Sequence, residues 1–132
     1  MTTSVTNGVV ITVKTQLLSK KVATKTESYI FEYEIEILNL NNYKIKLLER
    51  EWEINDLVGQ REVVHGFGVI GKFPTIEPFE TFKYTSFAET KSGLSNMKGR
   101  YVFTILNERN EKTTHLYSDI PKFELFCNHK LN

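Results

Sequence analysis

Alternation of apolar and polar side chains with a period of two dominates this chain. In "YIFEYEIEILN" Tyr29, Phe31, Tyr33, Ile35 and Ile37 point one way and Glu32, Glu34 and Glu36 the other, which is the pattern of a strand with one buried face. Similar runs, rich in β-branched and aromatic residues, occur at Gly8 to Gln16, Ile45 to Asn55, Arg61 to Gly68, Phe79 to Phe87, Arg100 to Asn107 and Thr113 to Phe126. Turn formers separate them at Asn39 to Asn42, Asp56 to Gly59, Pro74 to Pro78, Ser92 to Gly99 and Asn107 to Lys112. No segment carries a sustained stripe at 3.6-residue spacing with caps, so no helix beyond a turn or two is expected. About seven short strands at this spacing predict an all-β fold, either a sandwich of two antiparallel sheets or a small barrel.

Charge placement chooses between them. If "YIFEYEIEILN" and "IKLLEREWEIN" formed a hairpin, matching Phe31 with Trp52 and Ile35 with Leu48 would set Glu34 against Glu49 and Glu32 against Glu51. Like charges directly opposite one another destabilise a ladder. Shifting the register by one residue pairs Glu36 with Lys46 and Glu32 with Arg50, but puts Phe31 against Glu51 and Tyr33 against Glu49. The conflict disappears when the two runs lie in opposite sheets, as the second and third strands of an immunoglobulin-like sandwich do, and the alternative is a β-bulge that absorbs the mismatch within one hairpin. Trp52 then sits on the third strand, where such folds bury a tryptophan. Tyr101, at the start of the sixth run, has two readings: a tyrosine corner bonding back to upstream backbone, or an ordinary core tyrosine beside Phe103 and Ile105.

The 132 residues suit one domain spanning 1–132, long enough to bury its own core. With 17 Lys and Arg against 16 Asp and Glu, the net charge of +1 supplies no field for nucleic acid or an anionic membrane. The single cysteine, Cys127, excludes an intrachain disulfide and fits a cytoplasmic location. "MTTSVTNG" has neither the basic start nor the apolar stretch of an export signal, so a soluble protein without membrane contact is expected.

One motif invites a functional reading. "HGFGVIGK" contains Gly66-x-Gly68-x-x-Gly71, the glycine spacing of dinucleotide-binding loops. Such a loop works by launching a helix, whose free N–H groups and dipole hold the phosphates. Here "KFPTIEP" follows, with Pro74 and Pro78 where a helix would run, and no βαβ unit surrounds it. Two readings remain. Gly66 and Gly68 can allow a bulge or close backbone crossing while Gly71 adopts a positive φ. Alternatively, exposed N–H groups form an anion nest, with His65, Lys72 or Arg61 adding charge, for pyrophosphate or a nucleotide.

Other chemistry is sparse. His65, His115 and His129 lie 50 and 14 positions apart, without zinc-site spacing. Glu49, Glu51 and Glu53 share one strand face and could collect a hard cation, although such rows are usually a wet outer face. Ser86 and Ser92 lack a nucleophile elbow, while Cys127 and His129 share a strand face close to the C-terminus. No catalytic residue, metal site or cofactor is assigned.

Taken together, "LLEREW", "EVVHGFGVIGKFPTIEP", "ETFKYTS", "MKGRY" and "DIPKFEL" resemble, in order and spacing, the motifs of the ApaG family. The resemblance covers nearly the whole chain and implies a fibronectin-III or immunoglobulin-like sandwich. It also implies a binding role of poorly defined kind, linked in some bacteria to cobalt and magnesium resistance or efflux. The family's Pro-Gly turn is Pro78-Phe79 here, so a turn type other than II is expected. The expectation is a non-catalytic domain that binds another protein, with Arg50, Trp52, His65 and Phe67 as candidate contacts. A homodimer through exposed edge strands stays open. The alternative is a nucleotide or pyrophosphate at His65, Gly66, Gly68, Gly71 and Lys72, with a divalent cation and weak hydrolysis.

Overall fold

A computed structural model of the chain describes residues 1–23, 26–57 and 61–127. These build nine strands: β1 (Thr2–Thr6), β2 (Val9–Ala23), β3 (Thr26–Asn39), β4 (Lys44–Asp56), β5 (Glu62–Phe67), β6 (Thr75–Ile76), β7 (Thr81–Thr90), β8 (Leu94–Leu106) and β9 (Lys112–Phe126). They form two antiparallel sheets stacked as a β-sandwich, one in the order β1-β2-β3-β7 and the other β5-β4-β8-β9, with β6 also on β4.

The period-two faces lie where the alternation puts them. Phe31, Ile35 and Ile37 of β3 pack against Ile45, Leu47 and Trp52 of β4 inside one buried cluster. Consecutive strands β3 and β4 therefore belong to opposite sheets, the arrangement that the charge conflict favoured. The true neighbours of β3 relieve that conflict, since Lys14 of β2 stands opposite Glu34 and Lys83 of β7 opposite Glu36. Lys83 Nζ lies 3.2 Å from Glu36 Oε1.

One side of the sandwich is stitched across the sheets. Asn7 donates from its side chain to the Tyr117 carbonyl at 2.7 Å, and the Ser118 hydroxyl donates to the Thr6 carbonyl at 3.1 Å. At the other side β5 and β7 are the edge strands. A buried amide, Asn39, organises the adjoining loops: its Nδ2 donates to the carbonyls of Tyr43 at 2.8 Å and Ile76 at 3.1 Å, and its Oδ1 accepts from the Asn41 N–H.

Three expectations are corrected, and the open choice at Tyr101 is decided. The described residues form nine strands where about seven were expected, because the Thr-rich β1 carries little apolar signal and the two-residue β6 forms inside the Pro74 to Pro78 stretch. The breaker Ser92 to Gly99 is largely the first half of β8, held as a strand by ladders on both sides, to β4 and to β9. The phenol of Tyr101 bonds the hydroxyl of Tyr84 in the opposite sheet rather than upstream backbone, so Tyr101 is a core tyrosine and no tyrosine corner forms. At Pro78-Phe79 the chain does make a type II-like turn. Phe79 takes φ 62 and the Glu80 N–H donates to the Glu77 carbonyl at 3.0 Å. The Phe79 N–H is fixed by the Asn39 carbonyl at 2.6 Å, so tertiary hydrogen bonding imposes a conformation that an aromatic residue disfavours on its own.

Candidate functional site

The glycine segment is a short excursion between β5 and β6, which run one after the other along the edge of β4. Its base is closed by the Gly68 N–H donating to the Leu48 carbonyl at 2.8 Å, opposite the bulge between Leu47 and Glu49. Its tip is a hairpin in which Val69 and Lys72 exchange N–H to carbonyl bonds at 2.9 and 2.8 Å. The central pair, Ile70 at φ 45 and Gly71 at φ 75, gives the positive-φ signature of a type I′ turn.

Each glycine has its own reason. At Gly68, with φ +63, a Cβ would come within 2.2 Å of the Lys72 carbonyl oxygen, because the two legs of the excursion cross there. Gly71 needs only its positive φ, since a Cβ would meet nothing within 4 Å. Gly66 leaves room for a side chain, because a Cβ there would fall 2.5 Å from Cζ of Arg50. The Arg50 guanidinium lies across this space and donates to the carbonyls of Phe67 at 3.1 Å and Gly68 at 2.7 Å. No helix follows Gly71; the chain goes on to β6.

This geometry spends most of the donors that an anion nest would use. The N–H groups of Gly68, Val69 and Lys72 are bonded within the loop and to β4, and Arg50 is committed to loop carbonyls. Behind Arg50 lie the phenols of Tyr33, Tyr84 and Tyr101. Burial pushes all three above the ordinary phenol value, so they stay protonated at neutral pH, where they can donate hydrogen bonds but not act as bases.

The sequence candidates separate into inner and outer sets. Trp52 is 4% exposed and packs edge-on against Tyr33 at 5.6 Å and Phe123 at 5.9 Å, which withdraws it from any contact surface. Arg50 is half-buried and holds the loop. His65 and Phe67 face outward from β5 with their rings in edge-to-face contact at 5.3 Å, and His65 Nε2 sits 2.6 Å from Glu49 Oε1. Lys72 is exposed beside the hairpin tip.

The carboxylate row on β4 is engaged by basic side chains rather than open to a cation. Glu49 meets His65, Glu51 meets Arg100, and Glu53 meets both Arg61 and Lys98. The described residues hold no group of three His, Cys, Asp or Glu side chains that could bind a metal. Cys127 is buried, while His129 lies outside the described residues. The Ser92 hydroxyl donates to Asp56 at 2.5 Å, a bond that ties the β7–β8 turn to the end of β4.

Beside Phe67, which the sequence already offered as a contact, sequence reasoning missed three exposed apolar side chains at and beside this loop, Ile70, Phe73 and Phe79. Phe67 is 69% exposed, Ile70 52%, Phe73 50% and, on the neighbouring turn, Phe79 69%. The signal was present as apolar residues breaking the alternation within Ile70 to Phe79, but the sign of φ at Ile70 and Phe79 was not readable from residue type.

A family model described as the ApaG domain matches residues 19–105. The chain belongs to the ApaG domain family. Its relatives include Protein ApaG of Shewanella halifaxensis, 36% identical over 102 residues that cover 77% of this chain and 81% of that protein. Protein ApaG of Shewanella sediminis is 33% identical over 123 residues, covering 93% of this chain and 94% of the relative. That name states no enzymatic activity. Among solved structures, the X-ray structure of structural-genomics target SoR45 matches with a TM-score of 0.84 at 32% identity, covering 96% of this chain and 92% of the other. The putative ApaA protein from Bordetella pertussis matches with a TM-score of 0.75 at 25% identity, covering 92% and 94%. No helix among the described residues is long and apolar enough to cross a membrane.

Proposed function

We propose that this ApaG domain is a non-catalytic recognition module that binds another protein through the glycine hairpin and the adjacent β6–β7 turn, in the cytoplasm. The observation that supports this reading is the coincidence of backbone strain with exposed apolar side chains at Ile70 and Phe79. A left-handed conformation costs a residue with a Cβ about 1–2 kcal/mol, so glycine or asparagine would serve either turn better in the isolated protein. Nor do these side chains recover that cost by burial in the free protein. Fixed on short hydrogen-bonded turns, they suit the role of preorganised apolar anchors for a partner, and strain of this kind commonly accompanies recognition.

The second reading, pyrophosphate or a nucleotide at His65, Gly66, Gly68, Gly71 and Lys72, is disfavoured by the loop donors already spent. A link to cobalt or magnesium handling would, on the present reading, run through the partner, because basic side chains occupy the Glu49, Glu51 and Glu53 row.

Cross-linked affinity capture with the unaltered chain, Ile70→Asn and Phe79→Gly tests the proposal. A protein retained by the unaltered chain and lost from both variants supports it. Capture that neither variant changes moves the contact elsewhere, and failure to capture anything counts against protein binding altogether.

A further inference from the structure

Lys44, Lys46 and Lys112 converge on a concavity of about 560 Å3 on the outer face of the five-stranded sheet. The ladder brings them there. Lys44 stands opposite Leu106, and Leu106 opposite Lys112, while Lys46 has Thr75 on one side and Thr104 on the other. Thr75, Glu77, Glu80, Leu106 and Asn110 complete its lining.

The charge arrangement here differs from the rest of the face. Farther along β4 and its neighbours, Arg61, His65, Lys98 and Arg100 each meet a glutamate. Among the described residues, Lys46 and Lys112 have no carboxylate within ion-pairing distance, and Lys44 Nζ donates to the neutral Asn110 Oδ1.

We propose that this pocket binds a small molecule with a phosphate group at one end and an amino-bearing body at the other. The phosphate suits the lysines, where two uncompensated ammonium groups match a dianion and Lys44 and Thr75 add donors to its remaining oxygens. The carboxylates of Glu77 and Glu80 repel a purely anionic ligand and attract an ammonium group. The volume fits a small metabolite rather than a macromolecular surface. This site is separate from the glycine hairpin and its use requires no protein partner.

Amide chemical shifts in a titration with inorganic phosphate and with phosphoethanolamine test the assignment. The expected result is movement of the amides of Lys46, Thr75, Thr104 and Lys112, with phosphoethanolamine binding roughly fivefold tighter than phosphate. Lys46→Gln combined with Lys112→Gln, which keeps much of the apolar stems, abolishes both titrations. Glu77→Gln combined with Glu80→Gln removes the preference for phosphoethanolamine. The proposal is overturned if millimolar ligand moves no amide, if the shifts centre on Gly68 to Lys72, if the lysine variant still binds, or if the two ligands bind the unaltered protein equally.

Discussion

Replacing each glycine of the Gly66-x-Gly68-x-x-Gly71 motif by alanine separates three physical causes that the sequence presents as one pattern. Gly71→Ala introduces only a left-handed φ of +75 into open space, at a cost of about 1–2 kcal/mol. Gly68→Ala carries the same penalty at φ +63 and adds a Cβ 2.2 Å from the Lys72 carbonyl oxygen. Backbone rather than a flexible side-chain end lies in the way, so the Val69 to Lys72 hairpin must move. Overpacking of this kind costs a further 1–3 kcal/mol or so, giving a total of about 2–5 kcal/mol. Gly66→Ala meets the Arg50 guanidinium, which can swing aside, and the expected loss is its two bonds to the Phe67 and Gly68 carbonyls, about 1–3 kcal/mol. Urea denaturation monitored by Trp52 fluorescence measures the three midpoints, and amide exchange at Val69 and Lys72 reports whether the hairpin opens locally. Gly68→Ala must be clearly more damaging than Gly71→Ala in midpoint or in hairpin protection. Equal effects in both measurements would refute the close crossing at Gly68.

Ile70→Asn relieves a β-branched residue at positive φ, so stability should rise by about 0.5–1 kcal/mol while partner capture weakens; an unchanged or lower urea midpoint contradicts the strain argument. Tyr84→Phe leaves the buried Tyr101 hydroxyl without its partner and should cost about 1–3 kcal/mol, whereas adding Tyr101→Phe should cost less than the two single changes summed. Additivity in that cycle would deny the coupling. The carboxyl of Glu53 is held below its ordinary value of 4.5, chiefly by hydrogen bonding from Lys98 and then from Asn55. Near and below that value the unfolded chain binds more protons at this group than the folded one, so its stabilisation is present at higher pH and is lost as pH falls through the depressed folded value. Glu53→Gln should therefore flatten the acid limb of a stability-against-pH curve, and an unaltered limb would rule out this ion-pair contribution.

How much of this molecule could be read from residues alone depends on whether the signal was local. Tyr29 to Ile37 announced a one-sided strand because burial on a pleated surface repeats every second residue. The clash of Glu32 and Glu34 with Glu49 and Glu51, with the apolar-carboxylate mismatch of the shifted register, also favoured different sheets for β3 and β4, because like charges directly opposite destabilise a ladder. Pro74 and Pro78 ruled out the helix that a dinucleotide loop needs, through the backbone chemistry of proline itself. Tertiary structure decided the rest. Residues 94–99 carry no clean alternation, yet they form a strand because β4 and β9 offer hydrogen bonds on both flanks. The Asn39 carbonyl, forty positions upstream of the backbone N–H it accepts, fixes Phe79 in a glycine-like conformation. The lysine pocket likewise gathers side chains from β4 and β9 that are distant in sequence. Periodicity records which side of a strand meets water, whereas strand partners, the sign of φ in a turn and the grouping of charges arise from contacts that exist only once the chain has folded.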